Sequence, residues 1–159
     1  MVKPNQKQPP VIEAKVVRRL GVPPERVFDA WLEPDIVRRW MQASLTAFGL
    51  KGEMERVEID ARVGGRFTFS DGREGGGAVH WGTYLEIDRP RKLAFTWFTS
   101  AEEEAKNQSV VTMTLQPDGP GCTVTIQHRM SAEWAEYLGQ TERGWGTMLD
   151  QTGILLASS

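Results

Sequence analysis

Six times between residues 56 and 129 the sequence falls into alternation of apolar with polar side chains. The segments are RVEID (56–60), RFTFS (66–70), AVHWGTYLEID (78–88), KLAFTWF (92–98), VVTMTLQ (110–116) and CTVTIQHR (122–129), and VIEAKVVRRL (11–20) precedes them with the same habit. A period of two sends successive side chains to opposite faces of a strand, so each run offers one face to a core and one to water. The joins are short and rich in Gly, Pro and Asp, as in PDGPG (117–121). Such joins suit antiparallel neighbours, because parallel strands need crossover connections of a dozen or more residues. A curved antiparallel sheet of six to seven strands is therefore expected.

Helical period appears in two places only. In VPPERVFDAWLEPDIVRRWM (22–41), Pro23 and Pro24 stand where missing amide donors do no harm, and Val27, Ala30 and Trp31 then recur at i, i+3 and i+4. Pro34 suits the first turn of a second helix over Asp35 to Trp40, with Ile36, Val37 and Trp40 inward. Thr46 to Glu55 reads as a connecting loop marked by Gly49 and Gly52. From Ser131, a good N-cap, Trp134, Leu138, Trp145, Met148, Leu149, Thr152 and Leu156 fall on one broad face. Glycines at 139, 144, 146 and 153 interrupt this segment, and a break is expected near Gly139 to Gly144. The whole reads as one α+β domain over 11–157, a sheet wrapped around a long C-terminal helix with two short helices after the first strand. Residues 1–10 read as a disordered tail.

Several function classes are disfavoured. The formal net charge is −2 and no basic run is longer than a few residues, so neither nucleic acid nor an anionic membrane is expected as a partner. No stretch approaches the ~18 apolar residues of a membrane span and the first ten residues lack an apolar core, which makes a cytoplasmic protein the expectation. Cys122 is the only cysteine, and the two histidines, His80 and His128, lack metal-ligand spacing; no metal and no cofactor are expected. Gly75-Gly76-Gly77 is followed by neither Lys-Ser/Thr nor a helix and reads as a loop. No Gly-x-Ser-x-Gly occurs, and the acid and cations of Asp60, Arg62 and Arg66 read as turn and surface groups, so no catalytic residue is assigned.

The alternation groups side chains by face. Trp81, Thr83, Leu85 and Ile87 share one side of their strand, as do Phe67 with Phe69, Leu93 with Phe95 and Trp97, Val111 with Met113, and Val124 with Ile126 and His128. By the same parity His80 points to the convex side. One helix, about 10 Å across with its side chains, is too narrow to cover such a sheet. The aromatic residues then either fill the space between helix and sheet or border a cavity there, and small-molecule sites are apolar concavities with few polar groups. The expected ligand-binding residues are Trp40, Phe67, Phe69, Trp81, Thr83, Leu85, Phe95, Trp97, Met113, His128, Trp134, Trp145 and Met148. Thr83 and His128 would orient a polar end, and the methionines would let the walls adapt. The expected state is monomer or homodimer.

Five motifs in order, VPPERVFDAWLEPDIVRRWM, IDARVGGRFTF, GTYLEIDRPRKLAFTWF, TVTIQH and GWGTMLDQTGILL, resemble the domain related to the activator of heat shock protein 90 ATPase. That family lies in the START-like or SRPBCC superfamily and is similar in fold to the major birch pollen allergen. The resemblance runs from about Val11 to Leu156. It implies the helix-grip fold: a curved antiparallel sheet gripping a long C-terminal helix around a hydrophobic cavity, with two short helices closing one side. It also implies a small hydrophobic ligand, lipid-like or aromatic, or a chaperone contact as partner. An enzyme of cyclase or hydrolase type using the same pocket is the alternative. Eukaryotic co-chaperones of the family carry an additional N-terminal domain; with a first strand at Val11, such a domain is not expected here.

Overall fold

The computed structural model describes residues 10–158; the expected tail, residues 1–10, lies outside them except for Pro10. Seven strands form one antiparallel sheet: β1 (Val11–Leu20), β2 (Met54–Ile59), β3 (Arg66–Asp71), β4 (Ala78–Asp88), β5 (Lys92–Thr96), β6 (Val110–Asp118) and β7 (Gly121–Ser131). Their order is β1-β7-β6-β5-β4-β3-β2, a meander whose last strand pairs back onto the first. The helices are α1 (Pro24–Ala30), α2 (Pro34–Ala47), α3 (Ala101–Lys106) and α4 (Leu138–Ala157). The helix-grip architecture expected of the sequence is what the chain adopts.

Pro24 and Pro34 each occupy the first turn of their helix, where no intrahelical donor is lost. The second helix runs past Trp40. It continues to Ala47 because Met41, Ser44 and Leu45 extend the buried stripe begun by Val37 and Trp40, and the Ser44 hydroxyl donates to the Trp40 carbonyl one turn back at 2.7 Å. Gly49, at φ 76°, takes the left-handed conformation just after it. The segment expected as a loop from Thr46 to Glu55 therefore holds the end of α2 and the start of β2.

The C-terminal helix is not broken at Gly139 to Gly144. The irregularity lies earlier, in a 3₁₀ stretch over Ala132–Tyr137 kinked at Trp134, after which α4 runs unbroken for 20 residues. Two of its glycines permit close approach to β1: a Cβ on Gly146 would stand 2.6 Å from Nη2 of Arg18, and one on Gly153 would stand 2.9 Å from Cδ2 of Leu20. The helix interior tolerates these residues because packing against β1 compensates for their weak propensity.

The central strands behave as the alternation requires. Phe67, Phe69, Leu93, Phe95, Val111, Met113, Leu115, Val124 and Ile126 are all buried against the helical layer. Strand β4 does not. A bulge lies between Tyr84 and Glu86, since Tyr84 pairs with Phe95 and Glu86 with Ala94, leaving Leu85 as an extra residue. The facing of side chains consequently reverses at Leu85. Before the bulge Gly82 and Tyr84 are the buried residues; after it Ile87 packs on the core. Gly82 is required there, because a Cβ would fall 1.9 Å from the Thr96 carbonyl oxygen and 2.7 Å from the Phe67 ring.

Candidate functional site

The space between α4 and the sheet has two different fillings. Around Trp31, Trp40, Phe67, Phe95 and Trp145 it is solid. Trp31 stacks on Trp40 with centroids 4.5 Å apart, Phe67 meets Phe95 edge-on at 5.5 Å, and Phe95 meets Trp145 at 6.3 Å. The gap left among these rings is about 20 Å³, little more than one water. Towards β3, β4 and the first half of α4 the space opens. A cavity of about 540 Å³ lies between α2, α4 and the β3–β4 hairpin, and a second of about 370 Å³ lies between α4, α3 and the 3₁₀ stretch. The two adjoin, since both are lined by His80, Trp97, Gln140, Gly144 and Met148.

The larger cavity has an apolar floor and a polar rim. Met41, Leu45, Met54, Phe69, Trp97 and Met148 make the floor. They come from α2, β2, β3, the residue just after β5 and α4, so the hollow exists only once the tertiary fold is formed. Asp71, Arg73, His80, Gln140 and Arg143 supply polar groups. Asp71 is 4% exposed and held by a fork from Arg73, Nε to Oδ1 and Nη2 to Oδ2, both at 2.8 Å. Burial pushes the Asp71 carboxyl up, but the Arg73 hydrogen bonds and charge outweigh it and hold the group below the ordinary carboxylate range. His80 stacks on Trp97 at 4.8 Å, and burial, with the Arg73 charge beside it, pushes its pKa down to about 4. It is neutral at physiological pH. Arg143, exposed at the rim on α4, forms no hydrogen bond or ion pair to the described residues.

His128 is buried at the wall of the second cavity. Trp145 Nε1–H donates to its Nδ1 at 3.0 Å, which places the ring proton on Nε2, 2.7 Å from Ser109 Oγ. Burial pushes its pKa down to about 4. Both nitrogens are thus engaged within the protein.

Of the residues expected at a site, Phe69, Trp97 and Met148 line the larger cavity, and Trp97, His128, Trp134, Trp145 and Met148 the smaller. Trp40, Phe67 and Phe95 stand in the solid cluster, and Met113 is wholly buried within the core. Trp81, Thr83 and Leu85 are on the other side of the sheet, because the bulge reverses the parity on which they were grouped; Leu85 is 46% exposed, and Trp81 donates to Glu104 of α3 at 3.0 Å. His80, expected outside, faces the cavities for the same reason. Met41 and Leu45 of α2 line the larger cavity without being among the expected contacts, although the i, i+1, i+4, i+5 spacing of Trp40, Met41, Ser44 and Leu45 carries them. Asp60 and Arg62 pair with each other at 2.8 Å on the surface. Among the described residues no three His, Cys, Asp or Glu side chains are grouped to hold a metal ion, and no helix is long and apolar enough to cross a membrane.

Comparison with known proteins agrees with this architecture. The sequence model of the family described as activator of Hsp90 ATPase homolog 1-like protein matches residues 21–156. A crystal structure of a protein from Mesorhizobium loti is 22% identical, with 93% of this chain and 98% of that chain covered, at a TM-score of 0.72. The solution structure of an AHSA1-like protein from Aeromonas hydrophila is 21% identical over 92% and 93%, at 0.73. A crystal structure of a Rhodobacter sphaeroides protein is 15% identical over 92% and 93%, at 0.76. At such identities the likeness is one of fold. A search of curated proteins finds no match.

Proposed function

The chain belongs to the family of activator of Hsp90 ATPase homolog 1-like proteins, and from that premise we propose that it binds a small hydrophobic ligand between α4 and the sheet. The observation that carries this reading is the larger cavity: about 540 Å³ with an apolar floor and a few polar rim groups, within the range of small-molecule pockets. Phe69, Trp97 and Met148 are the expected contacts retained at that cavity; Met41, Leu45 and Met54 join them. In the adjoining space Trp134 and Trp145 are the contacts, with His128 as a fixed wall group, because its ring nitrogens are engaged by Trp145 and Ser109. Three methionines around the hollow give it a wall that adapts to irregular shapes. Trp97 lies against both cavities, so intrinsic fluorescence reports on occupancy. Titration with flavonoids, aromatic ketones and long-chain alcohols is expected to give a saturable shift or quench with at least one class. No response to any of them overturns the reading.

One observation favours a second reading, an acid–base enzyme of cyclase or hydrolase type. His80 stands on the cavity wall beside the Asp71–Arg73 pair, a neutral imidazole facing any guest. With a pKa of about 4 it is a weak base, which ranks this reading below simple binding. Turnover of aromatic esters or ketones that is lost in His80→Gln, with ligand affinity kept, supports it; unchanged turnover in that variant removes it.

A further inference from the structure

The charges around the larger cavity do not match those of the molecule. The chain as a whole carries a formal charge of −2, whereas the ionised groups lining this cavity are one carboxylate, Asp71, and two guanidinium groups, Arg73 and Arg143. Asp71 is already spent. Its two oxygens accept the Arg73 fork and the Arg73 backbone N–H, at 2.8, 2.8 and 3.1 Å, so it has little capacity left for the other cation. Arg143 pairs with no described residue, and the lining therefore keeps one uncompensated positive charge. The neutral donors nearby, His80 and Gln140, complete a rim suited to an acceptor and not to a cation.

The position of Arg143 gives this charge a direction. It is borne by the first half of α4 on the same wall as Gln140, Gly144, Thr147 and Met148, with the apolar floor of Met41, Leu45, Phe69 and Trp97 across the hollow. A molecule lying with its apolar body on that floor presents its other end to the rim. Guanidinium groups recognise planar oxyanions through paired hydrogen bonds, and carboxylates fit this geometry. Resting on the ligand-binding reading above, we infer that the larger cavity takes an apolar molecule bearing a single carboxylate, whose charge is met by Arg143 at the rim.

The test uses three ligands with the same ten-carbon chain, decanoate, decan-1-ol and decylamine, titrated into the full chain at pH 7.5 below micellar concentrations, with intrinsic tryptophan fluorescence as readout. The expected order of affinity is decanoate, then the alcohol, then the amine. Decanoate should exceed the alcohol by about tenfold, as a charge-assisted hydrogen bond gives. Attraction to the net charge of the chain gives the opposite order. In Arg143→Met, which keeps an apolar stem at an exposed position, the preference for decanoate over decan-1-ol should disappear. Salt should weaken decanoate and leave the alcohol alone. Equal affinity for acid and alcohol, tighter binding of the amine, or an undiminished preference in Arg143→Met overturns the carboxylate assignment and leaves apolar binding standing. No binding of any of the three in wild type overturns both.

Discussion

The two halves of α4 border the same sheet yet meet it differently. From Trp145 onward one face of the helix lies on a solid layer, with only Thr147 and Met148 turned to the larger cavity: Leu149 and Thr152 are fully buried, Trp145 is 3% exposed, and the indole N–H groups of Trp31 and Trp145 end on Thr152 and His128. From Leu138 to Gly144 the same helix stands over open volume, which His80 and Trp97 border from the sheet side. The difference follows from what else is present. Beneath the second half, α1 and α2 contribute Val27, Phe28, Trp31 and Trp40 as fill, and Gly146 and Gly153 let β1 come close. The first half has no comparable fill. The lesson is that the cavity is a local shortage of side-chain volume between the end of α2, the first half of α4 and the β3–β4 hairpin.

If that contrast is right, truncation should cost more where α4 packs on the solid layer than where it borders the cavity. Leu149→Ala is expected to lose about 3–5 kcal/mol of unfolding free energy, because the cavity it leaves is enclosed. Its neighbour Met148→Ala, already facing open volume, should lose about 1 kcal/mol. Urea unfolding of the two variants decides the matter, and equal losses would break the comparison.

Acid sharpens it. Both histidines have folded-state pKa values of about 4, below the unfolded value near 6.5, so the unfolded chain binds more protons between those limits. Stability is therefore full above about pH 6.5 and falls as the pH drops towards 4, by on the order of 2 kcal/mol per histidine at pH 5. His128, sealed by Trp145 and Ser109, should stay neutral throughout in an NMR titration down to pH 5. His80, on a cavity wall, should respond to added ligand, and a ligand-insensitive His80 signal would place it outside the site.

The smallest effect is expected at the boundary itself. Gly144 faces open space, with no atom within 4 Å of a Cβ built on it. Gly144→Ala should raise stability by about 1 kcal/mol through helix propensity alone. Gly144→Leu should keep that fold and fill the waist between the two cavities, reducing ligand affinity in the fluorescence titration. Unaltered affinity would mean that guests do not cross this point.

Much of the fold is legible in the sequence. Period-two runs located every strand, and the prolines placed the starts of α1 and α2, because those signals are local. The alternation failed on β4, where the odd positions Val79, Trp81, Thr83 and Leu85 are more apolar than the even positions that face inward. Gly82 is inside for lack of room, and His80 is inside beside a charged pair; neither reason is visible as hydrophobicity. The bulge at Leu85 has no sequence mark of its own. Helix α3 did have one, since Ser100 accepts from the Glu103 N–H while the Glu103 carboxylate reaches back to Thr99, a capping arrangement with the expected three-residue spacing. The cavity floor was legible on its sheet side and at Met148, whereas its share from α2 depended on how far that helix runs.

The extra residue at Leu85 divides one strand into two parts that answer to different demands. Residues 86–88 are tied to the interior through Ile87, while the part before the bulge brings His80 to the wall of both cavities. Substitutions in the earlier part can retool that wall without disturbing the later one, and a deletion at this point would turn one part inside out. A single surplus residue thus keeps the chemistry of the hollow free to diverge while the scaffold holds still.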